Sequence, residues 1–220
     1  NRFKEFERLV RLLPDFKLEN AIEGNVCGLD EVGRGPLAGP VIASCVYIKD
    51  QSLPFLTEVN DSKKLSEKKR IRLFDEITSN CVYGVGVCSI DEIDELNILQ
   101  ASLLAMRRAY EDMAMICDHA LIDGNKLANL PCPSTAVVKG DSVSLSIAAA
   151  SIVAKVTRDE IMKELHEEYP EYGWASNAGY GSKKHRDAIH EIGVTPHHRK
   201  SFMPVRQILI DQAQKIPKSS

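Results

Sequence analysis

Nothing in this sequence marks a membrane protein, a disulfide scaffold or a disordered chain. No apolar stretch reaches the roughly 18–20 residues that a membrane-spanning helix needs. The nearest, Val143 to Ala154, is short and broken by serines. The six cysteines (Cys27, Cys45, Cys81, Cys88, Cys117 and Cys132) include no C-x-x-C pair, and most lie in apolar runs. They read as small buried hydrophobes in a reducing compartment rather than as disulfides or zinc ligands. Glycine and proline, 13 and 10 in 220 residues, do not exceed ordinary usage, which excludes collagen-like and low-complexity chains. No period of roughly 20–50 residues repeats. Neither sign of charge dominates: 28 Lys+Arg against 31 Asp+Glu leave −3, which argues against an indiscriminate polyanion binder but leaves local basic patches open. The opening Asn1-Arg-Phe-Lys4 has no basic-then-apolar leader, so a cytoplasmic location is the expectation.

What is present is enough apolar residue, 44%, to bury a large core without staples. Phe3, Phe6, Leu9, Val10 and Leu13 form one helical stripe that Pro14 stops. Short β-branched runs follow at Val26 to Leu29, Val41 to Ile48 and residues 82–89, which suggests an antiparallel meander. Residues 67–79 interrupt it as a helix that Ser66 can cap. The rhythm then changes. A long helix is expected over residues 91–115, short strands at His119 to Ile122 and Thr135 to Val138, and a helix at 143–167 whose small face (Ala148, Ala149, Ala150, Ser151) permits close packing. Residues 183–192 and 204–214 supply the last helices. Mixed strands followed by strand–helix units predict an α/β fold, five strands in one mixed sheet with helices on both faces. The expected divisions are an N-terminal helix and linker at 1–23, a main domain at 24–195 and a helical C-terminal segment at 196–220.

The chemistry lies in how three strands finish. The first ends in Asp30-Glu31, the fourth in Asp123-Gly124, the fifth in Asp141. Apolar strands that each deliver a carboxylate at the carboxyl edge converge those acids where open α/β sheets bind ligands. Oxygen donors with no His or Cys among them suit Mg²⁺ or Mn²⁺ rather than Zn²⁺. Two such ions would activate a water and hold the leaving oxygen of a phosphodiester. An Asp after a strand is more often a turn former or a cap, and it is the three strand ends together that favour a site. Asp30 and Glu31 are adjacent, so a regular strand points them to opposite faces, and a bend near Gly33 is expected to unite them.

Directly after these acids runs Gly33-Arg34-Gly35-Pro36, then Ala38-Gly39-Pro40. Glycines let backbone approach a polyanion, and Arg34 can fork to phosphate or a sugar hydroxyl. Three positive clusters, Lys63-Lys64 with Lys68-Lys69-Arg70, Lys183 to Arg186, and Arg199-Lys200, suggest a track for a phosphate backbone. His197-His198 read as surface or backbone-bonding residues. Tyr169, Tyr172 and Trp174 read as loop aromatics packed on the core.

These blocks, together with Asp61-Ser-Lys-Lys-Leu65, Leu121-Ile-Asp-Gly-Asn125, Lys139-Gly-Asp-Ser142, Ile147 to Lys155, Gly179-Tyr-Gly-Ser182 and His198-Arg-Lys-Ser-Phe202, resemble bacterial ribonuclease HII in order and spacing over residues 24–205. The resemblance implies an RNase H-like fold and divalent-metal hydrolysis, with Mn²⁺ or Mg²⁺, of RNA within RNA–DNA duplexes. Single ribonucleotides embedded in DNA are included, cut on the 5′ side to leave 3′-hydroxyl and 5′-phosphate ends. It implies Asp30, Glu31, Asp123 and Asp141 as catalytic metal-binding acids. Gly33, Arg34 and Gly35 are the implied sensor of the ribose 2′-hydroxyl, and Tyr180 the platform under the neighbouring sugar. Lys63 is the best candidate for a phosphate contact. The 2′-hydroxyl is what separates a ribonucleotide from its DNA neighbours. A monomer is the default expectation. The rival readings are a DNA nuclease of the same fold, such as a junction resolvase, and a non-catalytic nucleic-acid-binding module whose acids are caps.

Overall fold

Five apolar runs become strands: β1 (Val26–Val32), β2 (Val41–Tyr47), β3 (Val82–Cys88), β4 (His119–Asp123) and β5 (Ser134–Val137). They form one mixed sheet in the order β3-β2-β1-β4-β5. β1 lies antiparallel to β2, with Leu29 opposite Cys45, and parallel to β4, which is parallel to β5. Parallel pairing brings the carboxyl ends of β1, β4 and β5 to the same edge. The computed structural model describes residues 13–214. The helix expected over residues 3–13 therefore lies, but for Leu13, outside the described residues.

The helices are α1 (Lys17–Asn20), α2 (Glu67–Asn80), α3 (Ile90–Leu96), α4 (Ile98–Asp112), α5 (Leu145–Glu168), α6 (Trp174–Asn177), α7 (Lys183–Ile192) and α8 (Val205–Gln214). Ser66 starts α2 as expected, accepting the Lys69 amide at 3.3 Å. The single helix expected over 91–115 is two. Ser89 and Glu92 close a capping box at the start of α3, and Asn97 takes a left-handed backbone (φ 71) that ends it. The Asn97 side chain then accepts the amides of Leu99 and Gln100 at 3.0 and 3.2 Å, starting α4. Asparagine caps well, and the break falls where its side chain can start the next helix.

By its contacts the chain forms two units: residues 13–32, 42–87 and 102–157, and residues 33–41, 88–101 and 158–214. The first holds the sheet. Its core packs Val46, Ile48, Leu73 and Ile77 with the alanine-rich face of α5, where Ala148, Ala149 and Ala150 are wholly buried. Small residues let the helix descend onto β1 so far that a Cβ at Gly28 would meet the Ser146 carbonyl carbon at 2.2 Å and the Ile147 nitrogen at 2.3 Å. In the second unit Leu37, Met162, Tyr172, Trp174, Ile189 and Val205 form a separate cluster. All six cysteines are free thiols, four of them buried, and burial pushes Cys81 up to about 11. No helix among the described residues is long and apolar enough to cross a membrane.

Gly28 is thus the contact on which the seating of α5 depends. Gly28→Val forces helix backbone off the sheet, and urea unfolding should show a loss of about 3 kcal/mol or more, beyond ordinary overpacking. A loss under about 1 kcal/mol would contradict the close approach.

Candidate active site

In the first unit, β1 delivers Asp30 and Glu31, β4 delivers Asp123, and the turn after β5 delivers Asp141. Lys139 adopts a left-handed backbone (φ 57) that turns the chain into a 3-10 turn, Gly140–Ser142. The Gly140 amide donates to Asp123 Oδ1 at 2.6 Å, tying the ends of β4 and β5 together. Asp30 is only 8% exposed. Burial, and then the charges of Glu31, Asp123 and Asp141, hold its carboxyl well above the usual carboxylate range, while the Glu31 amide at 2.7 Å opposes them. Asp141 is raised by burial and by Asp61 and Asp123, and lowered by Lys63 and Ser142. The four expected acids therefore share one electrostatic neighbourhood, and Lys63 stands beside it.

The expected bend at Asp30-Glu31 does not occur. β1 stays in register with β2 through both residues, Asp30 opposite Ser44 and Glu31 opposite Ala43, and the left-handed Gly33 (φ 95) comes only afterwards. Among the described residues, no three His, Cys, Asp or Glu side chains draw together tightly enough to enclose a metal ion. The donor chemistry nonetheless fits a hard divalent cation. Every contributor is a carboxylate, and their mutual repulsion is what a positive charge would relieve. Sequence reasoning left Asp61 out of this group. It caps its own 3-10 turn by accepting the Lys63 amide at 2.9 Å, and the role was hidden because an Asp before Ser-Lys-Lys reads as a cap.

The second unit carries the other expected residues. Arg34, Gly35 and Tyr180 are exposed, and a Cβ at Gly35 would lie 3.2 Å from Tyr180 Cε1. The glycine loop and the aromatic ring thus stand edge to edge. Two wholly or nearly buried guanidiniums support them. Arg199 donates to the carbonyls of Gly33 (2.5 Å), Arg34 (3.0 Å), Gly39 and Pro40. Arg158 donates to Pro40, Ala38 and, at 2.8 Å, Ala178. Burial depresses both, and for Arg199 the Arg158 charge adds to it. Asp94 accepts the amides of Lys200 and Ser201, both at 2.9 Å, and locks the turn beyond Arg199.

Several expectations for the basic clusters need correction. Arg199 is fully buried, so it cannot lie on a surface track: its charge is spent on loop carbonyls. Arg70 and Arg186 likewise hold carbonyls, of Ser62 and Gly181. Lys69 pairs with Glu58, and Lys183 with Asp187. His198 is buried and bonded to the Thr195 backbone, so of the two readings offered for it the surface one fails.

A mixed five-stranded sheet flanked by helices is an architecture shared with solved type 2 ribonucleases H. The crystal structure of ribonuclease H2 from Pyrococcus horikoshii OT3 superposes with a TM-score of 0.70 at 27% identity, covering 87% of this chain and 99% of that one. In sequence, the Ribonuclease HII family profile matches residues 27–205. Ribonuclease HII of Paramagnetospirillum magneticum is 53% identical over 200 residues, 90% of this chain and 100% of its own. That of Magnetococcus marinus is 54% identical over 205 residues, 89% of this chain and 95% of its own. The chain belongs to the ribonuclease HII family.

Two outcomes test this geometry. Asp30 and Asp141 bind protons more tightly when folded. Their contribution to metal-free stability is therefore greatest below the ordinary carboxylate value of about 4 and is lost as pH rises through the raised values. In EDTA, Asp30→Asn should melt above the wild type by an interval that widens as pH climbs from 4 to 8. Each kcal/mol of relieved repulsion raises Tm by roughly 2–4 °C in a chain of this size. A pH-independent interval would contradict the repulsion. Second, Arg199→Lys keeps the charge but loses the fork. Urea unfolding should show a loss of about 2–4 kcal/mol, the scale of several buried carbonyls deprived of donors.

Proposed function

We propose that the protein is a divalent-metal-dependent endoribonuclease. It hydrolyses the RNA strand of RNA–DNA hybrids and cuts on the 5′ side of single ribonucleotides embedded in duplex DNA, leaving 3′-hydroxyl and 5′-phosphate ends. It is read as a monomer acting in the cytoplasm. The observation that carries this reading is the raised, buried carboxyl of Asp30 among Glu31, Asp123 and Asp141, in a chain of this family. Four acids sharing one neighbourhood are costly unless a cation neutralises them, and that cost makes sense at a site built for one.

Asp30, Glu31, Asp123 and Asp141 would hold Mn²⁺ or Mg²⁺, which when bound supplies Lewis-acid activation of water and neutralises charge on the phosphodiester. Oxygen from water bonds to phosphorus as the bond from phosphorus to the preceding 3′-oxygen breaks, and that oxygen takes up a proton. Lys63, whose charge already reaches Asp141, offers an ammonium to a phosphate oxygen. The backbone of Gly33 and Gly35 and the exposed Arg34 address the ribose 2′-hydroxyl. With its carbonyls turned inward onto Arg199, the loop presents few acceptors that would repel the polyanion. Tyr180, 51% exposed, supplies a flat face for the next sugar.

The decisive assay uses a duplex with one embedded ribonucleotide, an RNA–DNA hybrid and an all-DNA control, each with Mn²⁺ or Mg²⁺. Cutting should require the ribonucleotide and the ion and should cease in EDTA. Asp30→Asn should lower the rate about 10²–10³-fold, the scale of removing a preorganised electrostatic group. Equal cutting of the DNA control would overturn the specificity, and undiminished cutting by Asp30→Asn would overturn the metal role.

A further inference from the structure

Beneath Tyr180 lies a chain of hydrogen bonds whose direction is fixed. His185 and His198 are both fully buried, with Nε2 atoms 3.0 Å apart. Rings enclose them. Tyr172 stacks on Trp174 at 5.1 Å between centroids and meets His198 edge-on at 4.9 Å, in a pocket too apolar to favour a charged imidazole. The hydrogen-bond partners assign the protons. The Thr195 amide donates to His198 Nδ1 at 3.0 Å, so that nitrogen is bare and the neutral ring carries its hydrogen on Nε2. Trp174 Nε1 can only donate, and it points at His185 Nε2 from 3.1 Å, so that nitrogen is bare too. His198 Nε2–H must then donate to His185 Nε2, and His185 must carry its hydrogen on Nδ1. There it meets the Tyr180 carbonyl at 2.9 Å. Two independent backbone and indole donors thus require the same pair of tautomers. Burial depresses both imidazoles, His198 to about 4, in agreement with two neutral rings.

The far end of this chain is the functional one. The Tyr180 carbonyl also accepts the Ser182 amide at 2.7 Å, and the Tyr180 amide donates to the Asn177 carbonyl at 2.9 Å. The peptide planes on both sides of Tyr180 are therefore pinned, while its ring projects into solvent beside Gly35. The near end belongs to the segment whose next residue, Arg199, holds the glycine-loop carbonyls. One segment thereby sets both the loop and, through two imidazoles, the ring that faces it.

We infer that His185 is a positioning residue for sugar discrimination: a neutral imidazole, its tautomer set by Trp174 and His198, whose Nδ1–H holds the Tyr180 backbone so that the ring favours a deoxyribose next to the ribonucleotide. This rests on the proposed function and deepens it. The relay can be cut on either side of one ring. His185→Asn places an amide nitrogen near the Nδ1 position and keeps the bond to Tyr180. His185→Gln reaches the Nε2 position and keeps Trp174 and His198, but loses Tyr180.

The readout is the ratio of kcat/KM on a single embedded ribonucleotide to that on a continuous RNA–DNA hybrid, in Mn²⁺. His185→Gln should lower the ratio about tenfold and His185→Asn should hold it within about twofold, although each variant loses half the relay and melts below the wild type. A purely structural role would move both ratios together. Equal ratios in the two variants, kept or lost, would overturn the inference. Wild-type protein that cuts neither duplex would overturn the ribonuclease reading and the discrimination with it, whereas a cutting wild type with unmoved variants would overturn the discrimination alone. Long-range ¹H–¹⁵N spectra of the full chain at pH 6 give a readout independent of activity. They should show hydrogen on Nδ1 of His185 and on Nε2 of His198, and the opposite tautomers or a charged ring would end the proposal.

Discussion

Carboxylates crowd where the parallel strands end, and everything at that edge of the sheet answers to their mutual repulsion. Like charges brought into one partly buried neighbourhood repel, the more so as water is excluded. A domain's entire net stability is only about 5–15 kcal/mol. A sheet can bear such a load only if its remaining contacts are close, and here they are. The first turn of α5, at Ser146 and Ile147, rests on β1 without room for a single methyl group at Gly28. The Gly140 amide ties the β4 and β5 ends by bonding Asp123, so the backbone does not relieve the crowding by spreading. Local strain of this sort, held by a well-packed scaffold, is the usual mark of a functional site.

In the second unit the same problem appears with the opposite sign. Arg158 and Arg199 bring two positive groups into one buried region and satisfy them with carbonyl oxygens of the very loop they support. A planar fork with five donors can do this, whereas an ammonium cannot span carbonyls so far apart. The shape of the loop follows from the fork. Its acceptors are drawn onto the guanidinium, and its Arg34 stays exposed.

Much of the fold was legible because it rests on local rules. Ser66 before a helical stripe marked α2, and four acids at the ends of three apolar runs marked the sheet edge. Where longer-range partners decide, the sequence misled. Asn97 sits inside an apolar period that runs on through residue 115, and only its backbone angle reveals two helices. Arg199 beside Lys200 looked like a surface pair, yet its partners are loop carbonyls more than a hundred residues away in the chain. For His198 only the backbone-bonding reading holds, and its ring partner, on α7, leaves no local signal. Asp61 carried two signals at once, cap and neighbour of Asp141, and the first concealed the second. The strand through Asp30 and Glu31 runs on unbent because its pairing with β2 holds both residues in register, a long-range contact that the pleat alternation of the sequence does not carry.

The edge-to-edge meeting of Gly35 and Tyr180 has an evolutionary consequence. A methyl group at position 35 would sit 3.2 Å from the ring, close enough that the ring must yield by a few tenths of an ångström. Substitutions at the two positions are therefore epistatic, each altering the background in which the other is judged. A larger residue at position 35 calls for a smaller or displaced ring at position 180, and a change at either position alters what the other tolerates.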